Sequence, residues 1–367
     1  MKSTKLMLSA FVAAVALVAC TKENPAPEGG NLKSVQLSIE NVSYQTKGAG
    51  YASNLENTEV VLNNIQIFFS DGSNIYLPKN IDGTLAKTVF SAAELATAEL
   101  NFHFLPASVD EVYALGNVAT VSVQDNDLLS KLHMDLDVAS QQNPDQLTLF
   151  AVSELQPVAT PTGDHTSHIN STKTYSATLQ LAPRVARFEI KKISCDFSTL
   201  PVFNSVEAVK LAFADYYQTT DLFTGLISNP MNINTSSSET IFSYLSGVSA
   251  GWICDSWSTP LSMTPSAESV DVNLAYNFFA PLASGSSYPS FVLQVTTNNS
   301  EIAYAMTAKF KKASDGSDLL VTDFKPGCIY RITDFRFKDT DLTHQERCVE
   351  ITVDVVEWSV VNIYPTF

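Results

Sequence analysis

The sequence contains no C-x-x-C pair, no phosphate-binding G-x-x-x-x-G-K-S/T loop and no G-x-G-x-x-G fingerprint. Their absence leaves zinc knuckles, thioredoxin-like redox centres, P-loop chemistry and dinucleotide binding without a signal. Basic residues are also scarce. Lys and Arg number 22 against 38 Asp and Glu, giving a net charge of −16 and a pI near 4.6. A surface of that sign repels phosphate backbones and anionic head groups, which argues against nucleic acid as a partner. Helical periodicity is rare, and no apolar run is long enough to cross a bilayer as a helix.

The first twenty residues are distinctive. Met1-Lys2-Ser3-Thr4-Lys5 is a charged start, and the apolar run from Leu6 to Val18 is broken only by Ser9. This is the form of a signal peptide, expected over residues 1–19, and it is too short for a membrane-spanning helix. Leu17-Val18-Ala19-Cys20 has the Leu-x-Ala-Cys form at which lipoprotein precursors are cut and acylated, so Cys20 is the expected lipidation site. Two or more acyl chains anchor a protein stably where one does not. The alternative is a secretory peptide cut elsewhere, with Cys20 incidental. Thr21 to Gly30 is polar and rich in Pro and Gly, as expected of a tether.

Beyond the tether, about 330 residues match two domains of ordinary size. Apolar residues at 45% and charged residues at 16% indicate a well-cored globular chain. Period-two alternation dominates, bounded by Gly, Pro, Asn, Asp and Ser. Strands are expected near 60–69, 111–118, 147–155, 174–181, 184–193, 206–213, 269–279, 289–296, 302–310, 328–337 and 349–363. Helices are expected only at Asn126–Leu136, where four leucines approach 3.6 spacing, and weakly at Ser91–Ala98. The pattern predicts an all-β chain of sandwiches with a few short helices. The expected division places an amino-terminal domain at 48–182 and a carboxyl-terminal domain at 183–367. The boundary falls at Ala182-Pro183, because proline cannot donate to a ladder.

Few residue groups offer chemistry. Gly247-Val248-Ser249-Ala250-Gly251 matches G-x-S-x-G, but a nucleophile elbow requires a following helix and a downstream acid and histidine. Trp252-Ile253-Cys254-Asp255 does not read as a helix, and His344 is the one histidine downstream. His165 and His168 lie in a polar loop with no third metal ligand fixed in sequence. Asp315-Gly316-Ser317-Asp318 and Asp125-Asn126-Asp127 lack calcium-loop spacing. Ala214-Asp215-Tyr216-Tyr217 offers aromatic rings to a glycan, but an exposed loop or a half-buried strand explains it better. No catalytic residue, metal or cofactor is therefore assigned. Cys195, Cys254, Cys328 and Cys348 can pair in an exported protein, in a connectivity that spacing does not reveal.

The two ends of the chain are more informative. Val35, Leu37 and Ile39 alternate with polar residues, and the run continues through Val42 and Tyr44 to Gln45-Thr46-Lys47-Gly48-Ala49-Gly50. A strand thus leads into a basic residue followed by flexible ones, a site open to a trypsin-like protease between Lys47 and Gly48. At the other end, Ile351, Val353 and Val355 share a face. The apolar register then shifts to Val356, Trp358 and Val360, and again to Val361 and Ile363 before Phe367. Such shifts mark a bulge, or a strand that leaves one sheet to pair elsewhere.

In this order the elements resemble the fimbrillin family, the major subunits of type V pili. The lipobox and the strand before Lys47 carry the resemblance. So do Val112–Val118 followed by the expected helix at 126–136, Arg184–Ile190, the turn and strand Phe324–Ile332, and the tail Val349–Val361. The resemblance implies two transthyretin-like β-sandwich domains and a lipidated propeptide at 20–47. It also implies removal of the strand bearing Val35, Leu37, Ile39, Val42 and Tyr44. The emptied groove would accept a neighbour's donor strand from about 349–367, bearing Ile351, Val353, Val355, Trp358, Val360, Val361, Ile363 and Phe367. Burial of the five displaced residues is worth roughly 10 kcal/mol, so their loss leaves a groove that invites strand addition. The implied partners are copies of the chain, related fimbrial subunits, the outer membrane before cleavage, and surface ligands of hosts or other bacteria. Stalk subunits of the family commonly carry Arg where this chain has Lys47. A subunit left uncut there would be an anchor, a tip or a monomeric surface-binding lipoprotein.

Overall fold

The computed structural model describes residues 32–43, 60–159, 172–231, 253–281, 288–343, 346–357 and 359–362. Among them the regular structure is almost entirely β-strand. It opens with β1 (Leu32–Ser43), β2 (Asn64–Ser70), β3 (Ile75–Tyr76) and β4 (Val89–Ser91). A one-turn helix, α1 (Ala92–Leu95), follows, with Ser91 and Glu94 forming a reciprocal capping box. Then come β5 (Asn101–Pro106), β6 (Glu111–Gly116), β7 (Asp135–Asp137), β8 (Leu149–Glu154), β9 (Gln156–Pro157) and β10 (Thr172–Pro183).

The second half runs β11 (Ala186–Asp196), β12 (Val206–Ala214), β13 (Tyr216–Asp221), β14 (Ile227–Met231), β15 (Cys254–Met263) and β16 (Ser269–Phe278). It continues through β17 (Ser290–Thr297), β18 (Ile302–Lys312), β19 (Cys328–Ile332) and β20 (Phe335–Lys338). It ends with β21 (Glu346–Glu357) and β22 (Ser359–Asn362).

In the amino-terminal half one layer holds β5, β1, β10 and β9, and the other holds β8, β6, β2, β3 and β4. The layers join through β10, whose length pairs with β1 while its last residues, Ala182 and Pro183, pair with Phe150 and Leu149 of β8. Alternation explains the core. Ile65, Ile67 and Phe69 of β2 are buried, and Phe69 meets Phe102 of β5 edge-to-face at 5.1 Å across the layers. The opposite face of β2 is closed by Gln66, whose side-chain amide exchanges hydrogen bonds with the backbone of Val121.

In the carboxyl-terminal half the layers are β15-β12-β17-β18 and β16-β11-β19, with β20 beside β11. β21 connects them, pairing with β18 from Glu346 to Val353 and with β19 from Asp354 to Glu357. Their core centres on Phe188, which contacts six aromatic rings. Pro183 thus ends the last strand of the first pair of layers, and Ala186 opens the second pair three residues later.

The helix expected at Asn126–Leu136 is not formed. Asn126 takes a positive φ of 66°, the Asp127 carbonyl accepts from Ile75 N–H, and Leu129 N–H donates to Ser73. Those backbone groups are spent on neighbouring segments, leaving only a 3₁₀ turn at Leu129–Lys131 before β7. Leu132 and Leu136 still reach the core. The segment Asn101–Pro106, read without strand signal, is β5. Non-adjacent Phe102 and Leu105 are buried because β5 carries a bulge opposite Lys33 and Val35.

The two halves are joined by more than the chain. β7 of the first half pairs with β13 of the second, and β14 completes a three-stranded sheet between them. Beside it, the Gln142 side chain exchanges hydrogen bonds of 2.8 and 3.0 Å with the Asn277 backbone. The Asn277 amide donates to the Gln141 carbonyl at 2.6 Å, and its carbonyl oxygen accepts from buried Arg187. Arg187 and Arg331 both reach Glu189, so this buried carboxylate is matched by cations.

Burial pushes the Asp255 carboxyl up to about 6 from 3.8, although the 2.6 Å hydrogen bond from the Tyr276 hydroxyl favours the charged form. The folded state therefore holds the Asp255 proton more tightly than the unfolded state. Its contribution to stability is complete below pH 3.8 and is lost as pH rises through about 6. Asp255→Asn is expected to flatten stability between pH 4 and 6 relative to the native chain, as read by urea midpoints across that window. Parallel curves for the two proteins would contradict this.

Candidate functional site: the first strand and the last

β1 is an interior strand. Along one edge it pairs in parallel with β10, from Leu32 opposite Thr172 to Asn41 opposite Leu181. Along the other edge it meets β5 over Leu32–Gln36, the Leu100 carbonyl at Leu37, and β22 over Glu40–Ser43. A strand from the start of the chain thus lies within a sheet built from later ones.

Its inner face is apolar. Val35, Leu37 and Ile39 are 0%, 3% and 2% exposed, which places about 1.5–3 kcal/mol of burial on each. Its other contacts fix the register. Lys33 lies 4.5 Å over the Tyr175 ring and donates to the Val109 carbonyl. Ser34 meets His103 at 3.2 Å, Ser38 meets Thr178 at 2.9 Å, and Gln180 donates to Glu40 at 3.1 Å. Because side chains alternate, a one-residue slip would turn the three apolar residues out of the core.

The tail changes partner twice. It leaves β18 after Val353, takes β19 from Asp354, and at Ser359 crosses to the amino-terminal sheet. There β22 runs antiparallel to β1, with Ser43 opposite Ser359 and Glu40 opposite Asn362. Each switch lies two or three residues before a shift in the apolar register of the sequence. Ile351, Val353 and Val355 lie on β21, and Val360 and Val361 lie on β22. The structure therefore brings Val42 and Val360 together as facing residues, while Ile351, Val353 and Val355 bridge the layers of the carboxyl-terminal half.

Cys20, Tyr44, Lys47, Gly48, Trp358, Ile363 and Phe367 lie outside the described residues, as do His165, His168, His344 and Gly247–Gly251. Asp315 accepts from Ser317 N–H and Oγ within a turn, and Asp125 and Asp127 accept backbone N–H groups of Leu77 and Gln124. Tyr216 is not an exposed platform. It is 1% exposed and stacks on Phe213 at 5.2 Å. Cys195 and Cys254 are free thiols, and burial raises Cys254 to about 11 and Cys195 further.

Solved structures share the fold. A candidate cell adhesion protein from Bacteroides eggerthii superposes with a TM-score of 0.51 at 12% identity, over 92% of this chain and 99% of its own. A second, from Parabacteroides distasonis, gives 0.50 at 15% identity over 90% and 97%. The chain shares their fold. A fimbrilin from Porphyromonas gingivalis matches at a TM-score of 0.46 and 10% identity, over 89% of this chain and 98% of that one. No protein-family model matches the sequence, and no curated protein matches it. The likeness is thus one of β-sandwich fold over nearly the whole length, at low sequence identity.

Proposed function

We propose that the chain is a fimbrial subunit of the cell surface with a non-enzymatic, adhesive role, exported as a lipoprotein on Cys20. Cutting between Lys47 and Gly48 separates the propeptide 20–47, and with it β1, from the two sandwich domains at 48–182 and 183–367. The tail of a neighbouring copy or related fimbrial subunit then fills the vacated position. One observation carries this reading: β1 is interior to its sheet, yet it belongs to the short segment before Lys47. Its loss exposes the β10 edge beside the apolar slot of Val35, Leu37 and Ile39, a ready site for strand addition. Head-to-tail insertion is a heterologous contact that does not close, so it produces a fibre. The architecture shared with candidate adhesion proteins supports the same reading.

We place the donor role on the residues after Glu357 rather than along all of 349–367. β21 ties the two carboxyl-terminal layers together through Glu346–Glu357, whereas β22 pairs through four residues only. Moving the last segment therefore leaves the donor's own sandwich intact.

A second reading follows from the same geometry. With β1 in place the amino-terminal sandwich is complete, as a tethered monomer, an anchor or a tip would require. Intact mass of protein sheared from cells separates the two. A start at Gly48, with an oligomer ladder surviving mild heating in detergent, is the expected result. An acylated Cys20 start with monomer alone would leave only the tethered surface protein.

A further inference from the structure

We propose that the pairing of β22 with β1 is a latch: it holds the carboxyl-terminal strand on its own subunit until the first strand departs. The inference rests on the strand-exchange reading above and adds how that exchange is kept from starting early.

Among the described residues β22 pairs with no strand but β1, and it does so at the far end of the strand. The pairing of β1 with β10 stops at Asn41 opposite Leu181, so Val42 and Ser43 pair with β22 alone. The buried residues Val35, Leu37 and Ile39 lie upstream of this stretch. One strand therefore does two jobs in separate places. Its first part fills the groove, and its last part holds the tail.

Loss of β1 has two consequences at once. It empties the groove and removes the sole sheet neighbour that β22 has among the described residues. Acceptor and donor become available in the same subunit by the same event. An uncut subunit that released its tail early would insert into a neighbour while its own groove was still full, ending the chain. The latch prevents that termination without any further component.

The test uses the full uncut chain and the variant Val42→Pro/Ser43→Pro. Neither residue pairs with β10, and adjacent residues of a strand send their N–H groups to opposite edges. One of the two prolines must then remove a bond to β22, whichever edge each faces. Backbone hydrogen exchange over Val360–Asn362 is expected to rise about tenfold in the variant, with Val35–Ile39 keeping native protection as the measure of folding. Unchanged exchange at Val360–Asn362 overturns the latch.

Uncut protein is then mixed with cut subunits. The variant should enter heat-resistant oligomers about tenfold more than the native uncut chain, as one uncut subunit per chain. Equal entry overturns the latch and leaves strand exchange standing. Cut subunits that form no ladder overturn strand exchange and the latch's role with it. The converse variant, Val42→Cys/Val360→Cys, places thiols on facing residues. Oxidised, it should stay monomeric after cutting and form the ladder on reduction. A ladder that forms equally well before reduction, with the cross-link shown intact by mass, overturns the latch.

Discussion

Cut subunits lacking residues 359–367 are expected to remain folded monomers and to form no detergent-resistant ladder. The groove left by β1 is ten residues long where it lines β10, from Leu32 to Asn41. The segment after Trp358 is nearly as long, and at roughly 3.3 Å per residue it spans about 30 Å. It alternates Val361, Ile363, Pro365 and Phe367 on one side, the period that Val35, Leu37 and Ile39 show in β1. Among the described residues the deletion removes only the four-residue pairing of β22, so β21 still connects the carboxyl-terminal layers. At about 0.5–1.5 kcal/mol per hydrogen bond, that loss is small against the stability of a domain. Polymerisation should fall to the detection limit while the urea midpoint shifts little. Normal ladders from the truncated protein would remove the donor role from the tail.

Phe188→Ala is expected to destabilise the protein by about 4 kcal/mol, the middle of the range for deleting a buried aromatic ring. Phe188 is 0% exposed and lies on β11, the strand that follows the junction between the halves. Its ring stacks on Phe278 at 4.8 Å and meets Phe310 at 4.9 Å and Phe291 at 5.2 Å, so it links both carboxyl-terminal layers. Few of those neighbours can move into the cavity, because each is itself fixed by other rings, such as Tyr288 on Phe310 and Phe324 on Tyr330. Unfolding in urea with fluorescence and far-ultraviolet dichroism provides the measure. A loss below about 1 kcal/mol would show that the cluster repacks around the missing ring.

Much of the fold was legible from local pattern. β2, β6, β8, β11, β12 and β16 to β18 follow alternation or apolar runs, because one face of each meets the core and side-chain direction has a period of two. The capping box at Ser91 and Glu94 starts a helix where the weaker signal lay, but only one turn of it. The leucine spacing at Asn126–Leu136 misled. Four leucines at helical spacing also suit a turn and a short strand whose backbone groups are claimed by Ser73 and Ile75. No feature within that window reveals those partners. β5, β13, β14 and β15 escaped notice for a related reason: their exposed or polar residues alternate poorly, and pairing with distant strands stabilises them.

The site divides in the same way. By itself the sequence determined that a strand with Val35, Leu37 and Ile39 precedes Lys47, and that the tail shifts its apolar register twice. Both are local patterns of side-chain polarity, which a linear chain records. Only the tertiary structure decided that β1 lies between β10 and β5, that β21 belongs to two layers, and that Ser359–Asn362 returns to Glu40–Ser43. Those pairings join residues from about 25 to more than three hundred positions apart. They are set by which backbone edges remain open once the layers have packed, and an edge has no signature in the residues that eventually cover it.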